Sequence, residues 1–404
     1  MRNKKIKKCR LCSNSKLITL KNFGNFYISN FVNKNNIKTS KKAPLNLIKC
    51  SKCKLVQLEH TAPMELMYTG HYWYRSGVTK TMVDQLKEIS LIAKKYTKNI
   101  NKPTILDIGA NDGTYLKNFS RSSYLTIGVE PAKNMVNPLK KNCSIIVNDF
   151  WNINTLTKKL KRSSQRISDF TTALGMFYDL EEPNKFINDI ALSLKPGGTF
   201  VAQLMCLKSM LEKNDFGNIC HEHLEYYSYE TLKYMYEENG LEIFKVEENE
   251  INAGSYRIYA RLATGNGSIQ FKENVSNKRI QKFINDIEKS KKETFNFIKK
   301  KVNEGKKVFV YGASTKGNTI LQYFNLDQKL IPFAADRSPE KWGKYTVGTG
   351  IKIISERDAR KMNPDYFLIL PWGFVNEFKK REKNFFKKGG KFILPFPRFK
   401  VIGR

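Results

Sequence analysis

The sequence predicts an α/β protein in three parts: a small cysteine-bearing module, a parallel sheet wrapped by helices, and a second unit of the same kind. Three observations predict it. Two Cys-x-x-Cys pairs fall within the first 53 residues, strand-like and helix-like stretches alternate from residue 104 onward, and a strand–glycine turn–helix pattern occurs twice, at Leu106 and at Val308. The 404 residues leave room for two or three domains, since single cores stop growing near ~250 residues. The expected boundaries are 1–68, 69–268 and 269–404.

Cys9-Arg-Leu-Cys12 and Cys50-Ser-Lys-Cys53 bracket a basic, Asn-rich segment. Brought together, the two turns offer four thiolates, the tetrahedral sulfur set that Zn²⁺ favours in closed sites. With Cys9, Cys12, Cys50 and Cys53 all engaged, no position stays open for water, so the expected zinc is structural.

In the middle segment, Thr104–Ile108, Tyr124–Glu130, Ser144–Val147, Phe170–Leu174 and Gly198–Gln203 read as strands, and Phe186–Leu194 has apolar residues at helical spacing. Leu106-Asp-Ile-Gly-Ala-Asn-Asp-Gly113 sits where the first strand turns into a helix. Glu130, followed by Pro131, closes the second strand at about the ~20-residue interval expected of an acid that holds ribose hydroxyls. The loop lacks the full Gly-x-Gly-x-x-Gly of dinucleotide sites, and Asp107 would repel a pyrophosphate. An adenosyl amino acid with a sulfonium and an ammonium suits it better. The pattern resembles the class I S-adenosylmethionine methyltransferases over about residues 69–268. That resemblance implies a cofactor site formed by Asp107, Gly109, Asn111, Gly113, Glu130 and Pro131, with Asp149 and Phe150 of Asn148-Asp-Phe150 at the adenine.

From Asn277 to Asn303, Ile280, Phe283, Ile284, Ile287, Phe295 and Ile298 suit a long amphipathic helix bridging two domains. Lys307–Tyr311, the loop Gly312–Gly317 and a helix over Asn318–Phe324 then begin the second unit, read as Rossmann-like. Backbone N–H groups and a Lys in that loop could meet phosphate.

The formal charge of +34 raises nucleic acid as a partner. The lysines are scattered through every segment rather than gathered in a patch, so no nucleic acid is expected, and a positive field also attracts a diphosphate. No apolar run approaches the ~20 residues of a membrane helix. The basic start runs into Cys9 without an apolar signal stretch, and the seven cysteines suit a reducing compartment. A cytoplasmic protein without membrane contact is expected.

Two of the four histidines lie in Cys220-His-Glu-His-Leu-Glu-Tyr-Tyr-Ser228. Neutral imidazole with an unperturbed pKa of ~6.5 accepts a proton near pH 7, and a neighbouring carboxylate can orient it. Metal ligation by both rings and a purely structural polar turn are the competing readings. The metalloprotease helix motif needs two more residues between the histidines, so it does not apply.

At this point the whole chain resembles the three-domain sugar C-methyltransferases of deoxysugar biosynthesis. The resemblance rests on both Cys pairs, Tyr72-Trp-Tyr-Arg-Ser76, the His-Glu-His segment, Asn252-Ala-Gly-Ser-Tyr-Arg257, Tyr311-Gly-Ala-Ser-Thr-Lys-Gly-Asn318 and Asp336-Arg-Ser-Pro339. It implies an S-adenosylmethionine cofactor, a structural zinc and a nucleotide-diphosphate keto sugar as substrate. It also implies His223 as general base with Glu222 as its partner. Tyr72, Tyr74 and His221 become candidates to donate hydrogen bonds to an enolate oxygen. Tyr74, Arg75, Ser76, Arg257, Lys316 and Asn318 become candidates for substrate contact. Members from antibiotic pathways tend to carry Tyr before His-Glu-His and a His after the fourth strand. Here stand Cys220 and Met176-Phe-Tyr-Asp179, which leaves the sugar and the methylated atom open: carbon first, with oxygen or an RNA acceptor as alternatives.

Overall fold

A computed structural model describes residues 3–69 and 71–403, and among these the strands gather into four sheets. The central sheet has seven strands, in the order Leu241–Asn249, Ser255–Leu262, Leu194–Met205, Ser168–Leu174, Thr104–Ile108, Leu125–Val129 and Ile145–Val147. All run parallel except Ser255–Leu262, which is antiparallel to both neighbours. Thr104–Ile108 and Ser168–Leu174 lie side by side where the strand order reverses. A doubly wound sheet opens a crevice at such a point, outside the carboxyl ends of its strands. Four of the five strands expected from sequence end within a residue or two of their expected limits. The fifth runs longer, over Leu194–Met205.

The second parallel unit is an eight-stranded sheet whose centre is Lys391–Leu394, Tyr366–Ile369, Val308–Tyr311, Phe333–Asp336 and Lys352–Ser355. The bridging helix spans Asn277–Asn303, with the Ser276 hydroxyl accepting from Arg279 N at 3.3 Å and Ile280, Phe283, Ile284, Ile287 and Ile298 buried along one face. The helix after Val308–Tyr311 begins at Thr315 rather than Asn318, because Ser314 caps it by accepting from Gly317 N at 2.9 Å. Lys316 and Asn318 therefore stand in its first turn and not in the loop.

The three parts interlock. Phe31–Val32 of the N-terminal module pairs with Tyr345–Thr346 at the edge of the C-terminal sheet. In the other direction, Glu225–Tyr226 from the central segment pairs with Val56–Gln57 of the cysteine module's own sheet. Cys9, Leu11, Cys50 and Leu55 share a core with the central sheet, while Phe23, Leu45 and Leu47 share one with Phe216, Phe283 and Val308. Burying apolar surface across these seams, at ~25 cal/mol per Å², makes the parts mutually dependent. No described helix is long and apolar enough to cross a membrane.

Candidate active site and metal centre

The crevice at the switch point is a cavity of about 630 Å³, within the range of small-molecule sites. Its floor is the turn after Thr104–Ile108. Gly109 has φ +72°, and a Cβ there would lie 2.8 Å from Met176 Cγ, so only glycine fits without displacing the neighbour. Gly109 N and Ala110 N both donate to Val129 O, at 2.9 and 3.0 Å, which ties the turn to the end of the second strand.

Glu130 organises the cavity wall. One carboxylate oxygen accepts from Asn111 N at 2.8 Å and the other from Ala132 N at 2.9 Å. Burial raises its pKa above the ordinary value, and the two N–H donors oppose that shift. Asn111 in turn clamps the aromatic segment: its Oδ1 accepts from Ser76 N at 3.0 Å and its Nδ2 donates to Tyr74 O at 3.1 Å. Tyr72, Tyr74, Ser76, Gly109, Asn111, Glu130, Pro131, Asp149 and Phe150 all line the cavity. Glu130 keeps acceptor capacity for ribose hydroxyls, and Phe150, 37% exposed, offers a free ring face. This donor set fits an adenosyl amino acid.

Two expected cofactor residues do not line the cavity. Asp107 is 3% exposed and accepts from the Thr172 hydroxyl at 2.7 Å, and burial pushes its carboxyl up to about 7. Gly113, φ +78°, leaves space for Asn142, whose Cβ would stand 2.7 Å from an added Cβ. Both shape the turn from behind.

In the His-Glu-His segment the two rings face different ways. His223, 6% exposed, has Nδ1 2.9 Å from Asn218 O, and its ring centroid lies 4.4 Å from that of Tyr178. A carbonyl only accepts, so Nδ1 carries the proton and Nε2 keeps its lone pair. Burial first, then the Lys316 ammonium, holds the ring well below its ordinary value, so it stays neutral. His221 turns to the N-terminal module, with Nε2 2.9 Å from Ala43 O, and burial lowers it to about 4. It is thereby removed from the oxygen-side role expected of it. Neither ring is among the residues that line the large cavity. His223 borders a much smaller one with Tyr178, Met205 and Asn218.

The expected substrate contacts divide in the same way. Tyr74 and Ser76 face the cavity. Arg75 pairs with Glu340 of the C-terminal unit, and Arg257 is held by Gln203 and by Glu88 and Glu247, whose carboxylates offset its charge. Lys316 reaches from the C-terminal unit to Asn218 Oδ1 at 3.1 Å and Met205 Sδ at 2.9 Å, and Asn318 Nδ2 donates to Asn30 O at 3.0 Å. Both bind domains to one another. Sequence reasoning missed Tyr68, whose hydroxyl donates to Glu222 O at 2.8 Å, and Asn134, which exchanges two hydrogen bonds with the Tyr72 backbone. It also missed Asp179 on the cavity wall. The one available signal was the position of Asp179 just beyond the fourth strand, at the crevice edge.

The four expected metal ligands do converge. Their Sγ atoms all lie within 4.8 Å of one another, with Cys9–Cys53 at 3.6 Å and Cys12–Cys50 at 3.5 Å. Zn–S bonds of ~2.3 Å in a tetrahedron require sulfurs ~3.8 Å apart, so the set fits the ion. Gln57 Nε2 donates to Cys9 Sγ at 3.2 Å and Asn14 Nδ2 to Cys50 Sγ at 3.6 Å, the outer-shell support such thiolates need.

A seven-stranded sheet in this order, with a glycine turn at its switch point and a carboxylate closing the next strand, defines a class I S-adenosylmethionine-dependent methyltransferase. Residues 9–68 match the zinc binding domain family, 74–246 the methyltransferase domain family and 269–397 the C-methyltransferase C-terminal domain family. The chain thus carries, in order, a zinc binding domain, a methyltransferase domain and a C-methyltransferase C-terminal domain. The C-methyltransferase NovU of Streptomyces niveus is 25% identical over 419 residues, covering 98% of this chain and 97% of that protein. Among solved structures, PH0226 from Pyrococcus horikoshii OT3 is 14% identical with a TM-score of 0.36, covering 47% of this chain and 95% of its own. Magnesium protoporphyrin IX methyltransferase from Synechocystis PCC 6803 is 11% identical with a TM-score of 0.33, covering 45% and 79%. Overlays that loose add no weight to the assignment.

Proposed function

We propose that the chain transfers a methyl group to carbon of a nucleotide-linked keto sugar, with His223 as the general base. The observation that carries this reading is a buried imidazole kept neutral, with Nδ1 committed to Asn218 O and Nε2 free to take a proton. Full-length similarity to a protein named as a C-methyltransferase supports the choice of carbon. Carbon attacks an electrophile only once a proton beside a carbonyl is removed. Bound S-adenosylmethionine supplies the electrophilic methyl. The chain's own residues then have three tasks: Glu130, Asn111 and the glycine turn hold the adenosyl group, His223 accepts the α-proton, and Tyr72 bounds the space in which the acceptor lies. Holding both partners in line contributes much of the remaining acceleration. The substrate's diphosphate is assigned to the C-terminal unit.

The test is to incubate the chain with methyl-labelled S-adenosylmethionine and dTDP-, GDP-, CDP- or UDP-linked 4-keto hexoses, then locate the methyl by NMR. A new carbon–carbon bond is expected. His223→Ala should abolish turnover while cofactor affinity survives. Turnover retained in that variant removes the base assignment, and a methyl on oxygen removes the carbon acceptor.

A further inference from the structure

One carboxyl group on the cavity wall is accounted for by neither cofactor nor metal. Asp179 follows the strand Ser168–Leu174 and lines the cavity beside Tyr68 and Tyr72. Its Oδ1 is buried without a hydrogen-bond partner. Behind it the Glu222 Oε2 is likewise buried without a hydrogen-bond partner, and Glu225 lies on the same side with neither oxygen in a hydrogen bond. Two cations face this group: Arg10, 3.6 Å from Glu225, and Lys316, whose hydrogen bonds go to Asn218 and Met205 rather than to any of the carboxylates.

Three buried carboxyls that face two cations do not all ionise. Burial, and after it the Glu222 and Glu225 carboxylates, push Asp179 well above the usual carboxylate range, with Lys316 and the Tyr68 hydroxyl opposing. Asp179 is thus a proton-bearing acid facing the cavity, and a neutral carboxylic acid is a strong donor to developing negative charge on oxygen. A donor is needed there, because His221, one of the groups expected in that role, is committed to Ala43 O.

We propose that Asp179 is a catalytic residue whose carboxyl O–H donates to the acceptor's carbonyl oxygen, on the other side of the reacting carbons from His223. The role rests on the keto-sugar reading. The α C–H bond breaks with its proton passing to His223 Nε2. Its electron pair forms the C=C bond of the enolate while the C=O π pair moves onto the oxygen that Asp179 holds. The enolate carbon then takes the methyl, the C–S pair leaves on sulfur as S-adenosylhomocysteine forms, and the carbonyl is restored with the Asp179 proton in place.

The test compares Asp179→Ala and Asp179→Asn with wild type on a keto sugar that wild type methylates. Two readouts accompany kcat: S-adenosylmethionine affinity, and uptake of solvent deuterium at the acceptor's α-carbon without cofactor. Removing one such donor lowers kcat by about 100- to 1,000-fold, so Asp179→Ala should show that loss with a parallel loss of deuterium uptake and unchanged cofactor affinity. Asp179→Asn, which keeps an N–H donor, should recover to within roughly tenfold of wild type. The role is overturned if Asp179→Ala keeps wild-type kcat, if Asp179→Asn is as inactive as Asp179→Ala, or if cofactor affinity falls along with turnover. Wild type that methylates no keto sugar overturns the functional reading itself and this role with it. Wild type that does so while Asp179→Ala keeps pace overturns this role alone.

Discussion

The Nδ1 of His223 donates to the backbone carbonyl of Asn218 at 2.9 Å, and the side chain of that same Asn218 accepts from Lys316 at 3.1 Å. A single residue thereby fixes the imidazole tautomer and holds the ammonium that helps to keep the ring uncharged.

This arrangement gives a pH profile. Because His223 titrates below its ordinary value of ~6.5, it remains a competent base as pH falls through that value, and kcat should show no acid limb centred at 6.5. Burial is the larger cause and Lys316 the smaller, so Lys316→Met should move the acid limb upward without bringing it to the value of a free imidazole. Steady-state kcat from pH 5 to 8 in both proteins measures this, and an unmoved limb in the variant counts against the charge effect.

His221 predicts a stability effect that is independent of catalysis. Its folded value of about 4 lies below the ~6.5 of the unfolded chain. Between those values the unfolded state binds more protons, so stability drops as pH falls. Relative to His221→Leu, wild type should lose about 2 kcal/mol between pH 7 and pH 5. The variant also leaves Ala43 O unpaired, but that cost does not vary with pH. Urea denaturation of both proteins at the two pH values isolates the trend, and parallel curves would sink it.

Removing the metal should silence turnover from a distance. Arg10, within the first cysteine turn, lies 3.6 Å from Glu225, and both side chains are buried. Glu225–Tyr226 pairs with Val56–Gln57 just beyond the second cysteine turn. Loosening the thiolates therefore releases the strand that follows His223. Cys50→Ser should lower zinc from one per chain toward none and reduce methyl transfer by at least tenfold, an order-of-magnitude figure for loss of metal support. Cofactor affinity should change little, because Glu130 and Asn111 stand just beyond strands of the central sheet. Metal analysis with calorimetric titration of S-adenosylmethionine separates the two effects.

At the cofactor, Glu130→Ala removes the acceptor for Asn111 N and Ala132 N along with the proposed ribose contact. Hydrogen bonds to a charged group are worth ~1.5–3 kcal/mol, so the Kd for S-adenosylmethionine should rise by roughly 10- to 100-fold. Gly109→Ala should also weaken binding, and adding Met176→Ala should restore only part of it. The second change relieves the 2.8 Å contact but leaves the positive φ. Full recovery in the double variant would show that φ does not matter at this turn.

Three features were readable from residue order alone: the alternation of strands and helices, the two cysteine turns, and the pairing of the glycine turn with Glu130. Each depends on spacing along a few tens of residues, which backbone periodicity and ligand geometry fix locally. Which of two histidines two positions apart could serve as a base was not readable, because the choice depends on Ala43 in one module and Lys316 in another. Arg257 and Asp179 tell the same story from opposite directions: an expected substrate contact lies between carboxylates from two other elements, and an aspartate given no role from sequence stands on the cavity wall with one oxygen unpartnered. Charge state and direction follow from what packs against a side chain after the chain has closed on itself. Those neighbours come from other elements of the chain, up to 178 residues away in the case of Ala43 and His221, so only the tertiary structure decided them.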